Sequence, residues 1–150
     1  MSKYASLEMV LGKEAEELTA VEQGEFTTKK LGVVPYTAID HKEYKAAKKD
    51  CMKMIPNGTG GMVPDLDDDK LMVKIIIAAV DKDTRTDFTF ANEALIKKLQ
   101  AANPGIVSAD QVVTKLLSPG EIYKFAVEVQ NASGFGADAK KELKDDVKNS

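Results

Sequence analysis

The sequence predicts an α+β fold of about six helices in a single domain, with a small β-hairpin element near the N-terminus. Three observations carry that reading. Several segments open on a helix-capping signal and continue with apolar residues at helical spacing. A run rich in β-branched and aromatic residues, Glu25 to Ile39, surrounds Gly32. The dense turn signal PNGTGG, Pro56 to Gly61, follows soon after.

The elements follow in chain order. Leu7, Val10, Leu11 and Leu18 fall on one helical stripe behind Ser6 as N-cap, but Gly12 interrupts it. Residues 1–24 therefore read either as a loose helix or as a flexible arm that orders on binding, and residues 25–150 as the α+β domain. Glu25 to Ile39 reads as a hairpin turned by Gly32, and Pro35, without an amide proton, places the second strand at an edge. Asp40 and Glu43 form a capping box for a helix whose face carries Tyr44, Ala47, Cys51 and Met54. PNGTGG then joins two short strands around Met54 and Met62.

Asp67, Asp68 and Asp69 place negative charge at a helix start. The following LMVKIIIAAV is apolar nearly all round and reads as the central buried helix, although its β-branched content also fits a buried strand. Leu95, Leu99 and Ala102 mark a further stripe, ended by Pro104 and Gly105. Ser108 and Gln111 box the next helix, with Val112, Val113, Leu116 and Leu117 inward. Ser118 as N-cap, Pro119 at N1 and Glu121 at N3 open another, with Ile122, Phe125, Ala126 and Val129 inward. Gly134 suits C′, and Phe135 beyond it can fold back onto Val129. The Ser118 and Gly134 caps together contribute roughly 1–2 kcal/mol. Ala139, Leu143 and Val147 then form a thin stripe among charges.

Composition narrows the function. A hydrophobic fraction of 43% with 30% charged residues describes a globular chain, and 6% aromatics without Trp leaves an aliphatic and Met core. Net charge is -3, and the lysines are interleaved with Asp and Glu, so no basic nucleic-acid footprint emerges. The longest apolar stretch holds ten residues including Lys74, too short to cross a bilayer. The N-terminus has no apolar run long enough for a secretion signal, and the lone Cys51 suits a reducing, cytoplasmic setting.

No residue set is arranged for chemistry. His41 is the one histidine and reads as a solvated helix residue rather than a general base. Cys51 falls on an apolar stripe and reads as a buried structural thiol. One Cys and one His cannot supply a structural zinc set. A calcium loop starting at Asp65 would need Gly and Glu where Lys70 and Ile76 stand. GTGG and GFGADA lack phosphate-binding patterns. No cofactor and no metal are expected, and the residues describe a scaffold or partner-binding protein.

The C-terminal half carries a sharper signal. LMVKIIIAAV is followed by ANEALIKKL, by KLLSPGE, by AVEVQNASGF and finally by an acidic segment running to DDVKN. In that order these motifs resemble the XkdN-like tail-assembly chaperones of tailed phages and defective prophages. The resemblance spans residues 40–149, whereas Glu25 to Ile39, with Pro35, is shorter than the family's hairpin. It implies a non-enzymatic chaperone that coats the aggregation-prone tape measure protein until tail tube subunits polymerise around it. Such a chaperone acts in the bacterial cytoplasm and is absent from the finished virion. Many relatives also make a frameshift-extended second product, and Lys148-Asn149 suits a slippery A-rich codon run. The implied partners are the tape measure protein, the tail tube protein and that extended form, with self-association compatible. A structural tail or connector component is the alternative reading, and a small enzyme a further one. The thin stripes of Leu7, Val10 and Leu11 and of Leu143 and Val147 are the candidate partner-binding residues, with ordinary core packing as the reading that stands ahead of docking.

Overall fold

The computed structural model describes residues 4–135. Among them seven helices and two antiparallel two-stranded sheets form an α+β fold. The helices are α1 (Leu7–Leu11), α2 (Ala15–Thr19), α3 (His41–Asp50), α4 (Asp68–Lys82), α5 (Glu93–Gln100), α6 (Ala109–Leu116) and α7 (Pro119–Ala132). The strands are β1 (Gln23–Thr28) with β2 (Gly32–Thr37), and β3 (Met52–Pro56) with β4 (Met62–Leu66).

The core forms around α4. Asp67 accepts from Lys70 N–H at 3.1 Å, and Asp68 and Asp69 follow in the first turn, so the helix start matches its dipole. Leu71, Val73, Ile75, Ile76, Ala79 and Val80 are all buried, more than one face can account for. The reason is that α3, α6, α7 and β2 surround this helix. The apolar run is therefore a helix, and the strand alternative is excluded.

Against α4 lies α7, whose punctuation matches its sequence. Ser118 Oγ accepts from Glu121 N–H at 3.2 Å, and Glu121 Oε1 accepts from Ser118 N–H at 2.9 Å. The buried face is Ile122, Phe125, Ala126 and Val129. Gly134 adopts φ 81°, its N–H donates to Asn131 O, and Phe135 N–H donates to Gln130 O. These two bonds are the Schellman pattern that stops a helix. Phe135 then stacks on Tyr44 of α3, ring centroids 4.7 Å apart.

The β1–β2 hairpin turns at Gly32, φ 74°, and is fastened to this body. Phe26 stacks on Phe125 with centroids 4.5 Å apart, and Tyr36 leans on the same ring. Gly24 faces Tyr36 across the ladder and leaves room for its ring. Buried Asp83, just beyond α4, accepts from Thr37 Oγ1 at 2.9 Å and pairs with Arg85 at 2.8 Å. The Arg85 guanidinium in turn donates to the carbonyls of Gly24 and Tyr36. Lys29 N–H donates to Glu121, so the capping carboxylate of α7 also holds the hairpin turn.

Three expectations change. The N-terminal stripe forms two short helices, because the chain turns at Gly12 and restarts at Ala15. Met54 does not share the α3 face: the helix ends at Asp50, Cys51 caps it, and Met54 lies exposed on β3. Leu95 and Leu99 are half-buried and Ala102 is exposed, so α5 covers the core edge without contributing a fully buried residue.

Candidate functional site

The candidate partner-binding residues sit on the N-terminal segment. Ser6 Oγ accepts from Met9 N–H at 3.2 Å and caps α1. Yet α1 and α2 bury no residue. Leu7 is 73% and Leu11 72% exposed, Met9 and Leu18 are exposed too, and Val10 alone is half-buried. The stripe therefore does not pack into the core. Leu143 and Val147 lie outside the described residues.

The expected caps hold the scaffold rather than a ligand. Asp40 Oδ1 accepts from Glu43 N–H at 2.7 Å while Glu43 accepts from Asp40 N–H at 3.0 Å. The bond from the Glu43 N–H to its ionised form holds the Asp40 carboxyl below its usual range. Gln111 Oε1 accepts from the backbone of Val107 and Ser108 and from the Ser108 hydroxyl. Pro119 opens α7 at its first position, and Gly134 closes it. Glu121, held by Ser118 and Lys29 N–H groups, also has a lowered pKa. His41 is exposed, and its ring faces Phe135 at 6.2 Å. Cys51 is buried, and burial pushes its thiol up, away from the reactive thiolate.

A cavity of about 570 Å³ opens between the start of α4, the side of α6 and the start of α7. Asp67, Asp69, Lys70, Asp110 and Thr114 supply its polar lining, and Met72, Val73, Leu117 and Ile122 its walls. Three of the five polar groups are already committed: Asp67 caps α4, Thr114 donates to Gln111 O, and Asp110 pairs with Lys74 at 3.0 Å. Among the described residues no group of three His, Cys, Asp or Glu side chains could hold a metal ion. Nor is any helix long and apolar enough to cross a membrane.

Sequence reasoning missed two features. One is the Asp83–Arg85 clamp, whose partners on β1 and β2 are distant in sequence. The other is a common face on the second hairpin. The register Met52↔Leu66, Met54↔Pro64 and Pro56↔Met62 puts six apolar residues on one side. The alternating M-K-M of residues 52–54 was the signal for it.

A packed α+β body whose peripheral elements leave apolar side chains in solvent has the layout of a partner-binding scaffold. The pattern of the phage XkdN-like tail assembly chaperone proteins matches residues 7–148, and the chain belongs to that family. The match begins at α1, so it takes in the N-terminal region that the sequence motifs alone did not cover. The family is non-enzymatic. Curated proteins and solved structures give no match.

Proposed function

We propose that the chain binds the tape measure protein of the phage tail and keeps it soluble while tail tube subunits polymerise around it. The observation that carries this reading is the capped but unburied α1, with Leu7 and Leu11 in solvent. Exposed leucines on a formed helix contribute little to this chain's own stability, and they suit docking against another protein's apolar face. Leu7, Val10 and Leu11, with Leu143 and Val147 of the C-terminal stripe, are the contact residues in this reading. It further includes the tail tube protein and a frameshift-extended form of the chain as partners. It places the chaperone in the bacterial cytoplasm and outside the finished virion.

Co-expression tests it. The tape measure protein should move from the insoluble to the soluble fraction when the chain is present, and co-purify with it. A tape measure protein equally insoluble with and without the chain would sink the proposal. Mass spectrometry of purified particles separates the structural alternative, since a tail component would be found there in stoichiometric amount.

A further inference from the structure

The β3–β4 hairpin presents a surface that the arm on α1 does not explain. Met52, Met54 and Met62 are 41%, 56% and 55% exposed, and Pro56 and Pro64 complete their face. Leu66, opposite Met52, packs against the core, so this face continues the core outward into solvent.

The ladder phase says how the surface can be used. Asn57 N–H donates to Gly61 O at one end and Asp67 N–H to Cys51 O at the other. By the alternation of an antiparallel pair, the amides of residues 52, 54, 56, 62, 64 and 66 point outward. Pro56 interrupts the donors of one edge and Pro64 those of the other. Strand addition is therefore disfavoured on both edges, which leaves the face as the better surface for an occupant.

Charge says what kind of occupant fits. Beside Met52, the stems of Lys42, Lys45, Lys48 and Lys49 with Ala46 line a shallow trough along α3. Lysine stems give apolar walls while their ammonium groups stay at the rim. None of these four lysines is in an ion pair among the described residues. Methionine side chains are unbranched and adapt to irregular apolar partners.

We propose that the Met52–Met54–Met62 face and the α3 lysine trough dock an amphipathic helix of a partner protein whose apolar stripe is flanked by Asp and Glu. The proposed function enters only in naming the protein that carries this helix.

Two labelled synthetic peptides of about five helical turns test the chemistry by fluorescence anisotropy. One has a leucine stripe flanked by Glu, the other the same stripe flanked by Lys. The full chain should bind the Glu peptide and not the Lys peptide, with affinity falling as salt rises. Met54→Ser with Met62→Ser should weaken the Glu peptide about tenfold or more, a change well within reach of losing two apolar contacts. Lys45→Glu with Lys49→Glu should reverse the preference towards the Lys peptide. Circular dichroism melts check that both variants fold. Equal binding of both peptides, or unchanged binding by folded variants, overturns the proposal. So does sedimentation showing that the methionine variant loses a wild-type oligomer, because the face then belongs to a second copy. Co-expression separates the two readings. If the Met54→Ser/Met62→Ser chain still holds the tape measure protein soluble, this inference fails and the proposed function stands. If the wild type binds the Glu peptide without solubilising the tape measure protein, the reverse holds.

Discussion

The two hairpins of this chain are built alike and used differently. Both are two-stranded, antiparallel and closed by a turn with positive-φ glycine, at Gly32 in one and at Gly58 and Gly60 in the other. A two-stranded ribbon is marginal on its own and needs something to pack on. β1–β2 has it: the Phe26–Phe125 stack, the Tyr36 hydroxyl on Glu128 at 3.0 Å, the Asp83–Arg85 clamp and the bond from Lys29 to Glu121. β3–β4 is anchored at its base, through Cys51, Leu66 and Asp67, and leaves its methionines in water. Similar local chemistry thus yields a structural element in one place and an open surface in the other. What differs is whether the body offers a complementary face.

The largest effect should come from the body that holds β1–β2. Phe125 is fully buried and touches both Phe26 and Tyr36. Phe125→Ala leaves a cavity under the hairpin and should cost about 3–5 kcal/mol in denaturant unfolding. A cost below about 1 kcal/mol would mean that the hairpin is not held by this ring.

Asp83 comes next. Its buried carboxylate accepts from Arg85 and Thr37, and Asp83→Ala leaves the Thr37 O–H donor and part of the guanidinium without an acceptor. The expected loss is about 2–3 kcal/mol. The bonds from Arg85, foremost among the causes, hold the Asp83 pKa below its ordinary value. The unfolded chain takes up this proton first as pH falls, so the contribution is full above about pH 4 and is lost on acidification through the folded pKa. Wild-type Tm should therefore fall more steeply than that of Asp83→Asn below that pH. Parallel curves would remove the clamp from the account.

A smaller effect is expected at Gly24. A Cβ there would collide with the Tyr36 ring, and that ring is pinned between Phe125 and Glu128. Burial, aided by the Glu128 carboxylate, already raises the Tyr36 hydroxyl well above its ordinary pKa. Gly24→Ala should cost about 1–2 kcal/mol by overpacking. Amide exchange should quicken along β1 and β2 while β3 and β4 stay as they were.

How far the sequence could be read follows from the same contrast. α7 was legible from end to end because its start, inward face and stop are local: Ser118 with Glu121, Ile122 to Val129, and Gly134. Met54 was misplaced because helical spacing from Tyr44, Ala47 and Cys51 runs on past the point where the chain leaves the helix. Phe135 was expected on its own helix and stacks on Tyr44, a partner no local pattern indicates. The Asp83–Arg85 clamp was invisible because its hydrogen-bond partners on β1 and β2 lie 46 to 61 residues away. The apolar spacing of Leu7, Val10 and Leu11 was plain, but spacing does not tell a buried stripe from an exposed one. Exposure here depends on what the rest of the fold places nearby.

The smallest effect on stability is the one that most sharpens the comparison. Met54 and Met62 already spend more than half of their surface in solvent, so truncating them removes little buried area. Met54→Ala with Met62→Ala should leave unfolding free energy within about 0.5 kcal/mol of wild type. If β3–β4 were instead a second structural hairpin, the pair would behave as core methionines do, at about 2–5 kcal/mol each. Urea unfolding distinguishes these outcomes without any partner protein. A neutral result would mean that the apolar face stabilises nothing within the chain itself. Its five exposed apolar residues, Met52, Met54, Pro56, Met62 and Pro64, are then a surface kept free for contact, and the cost of exposing them is recovered only when a partner covers it.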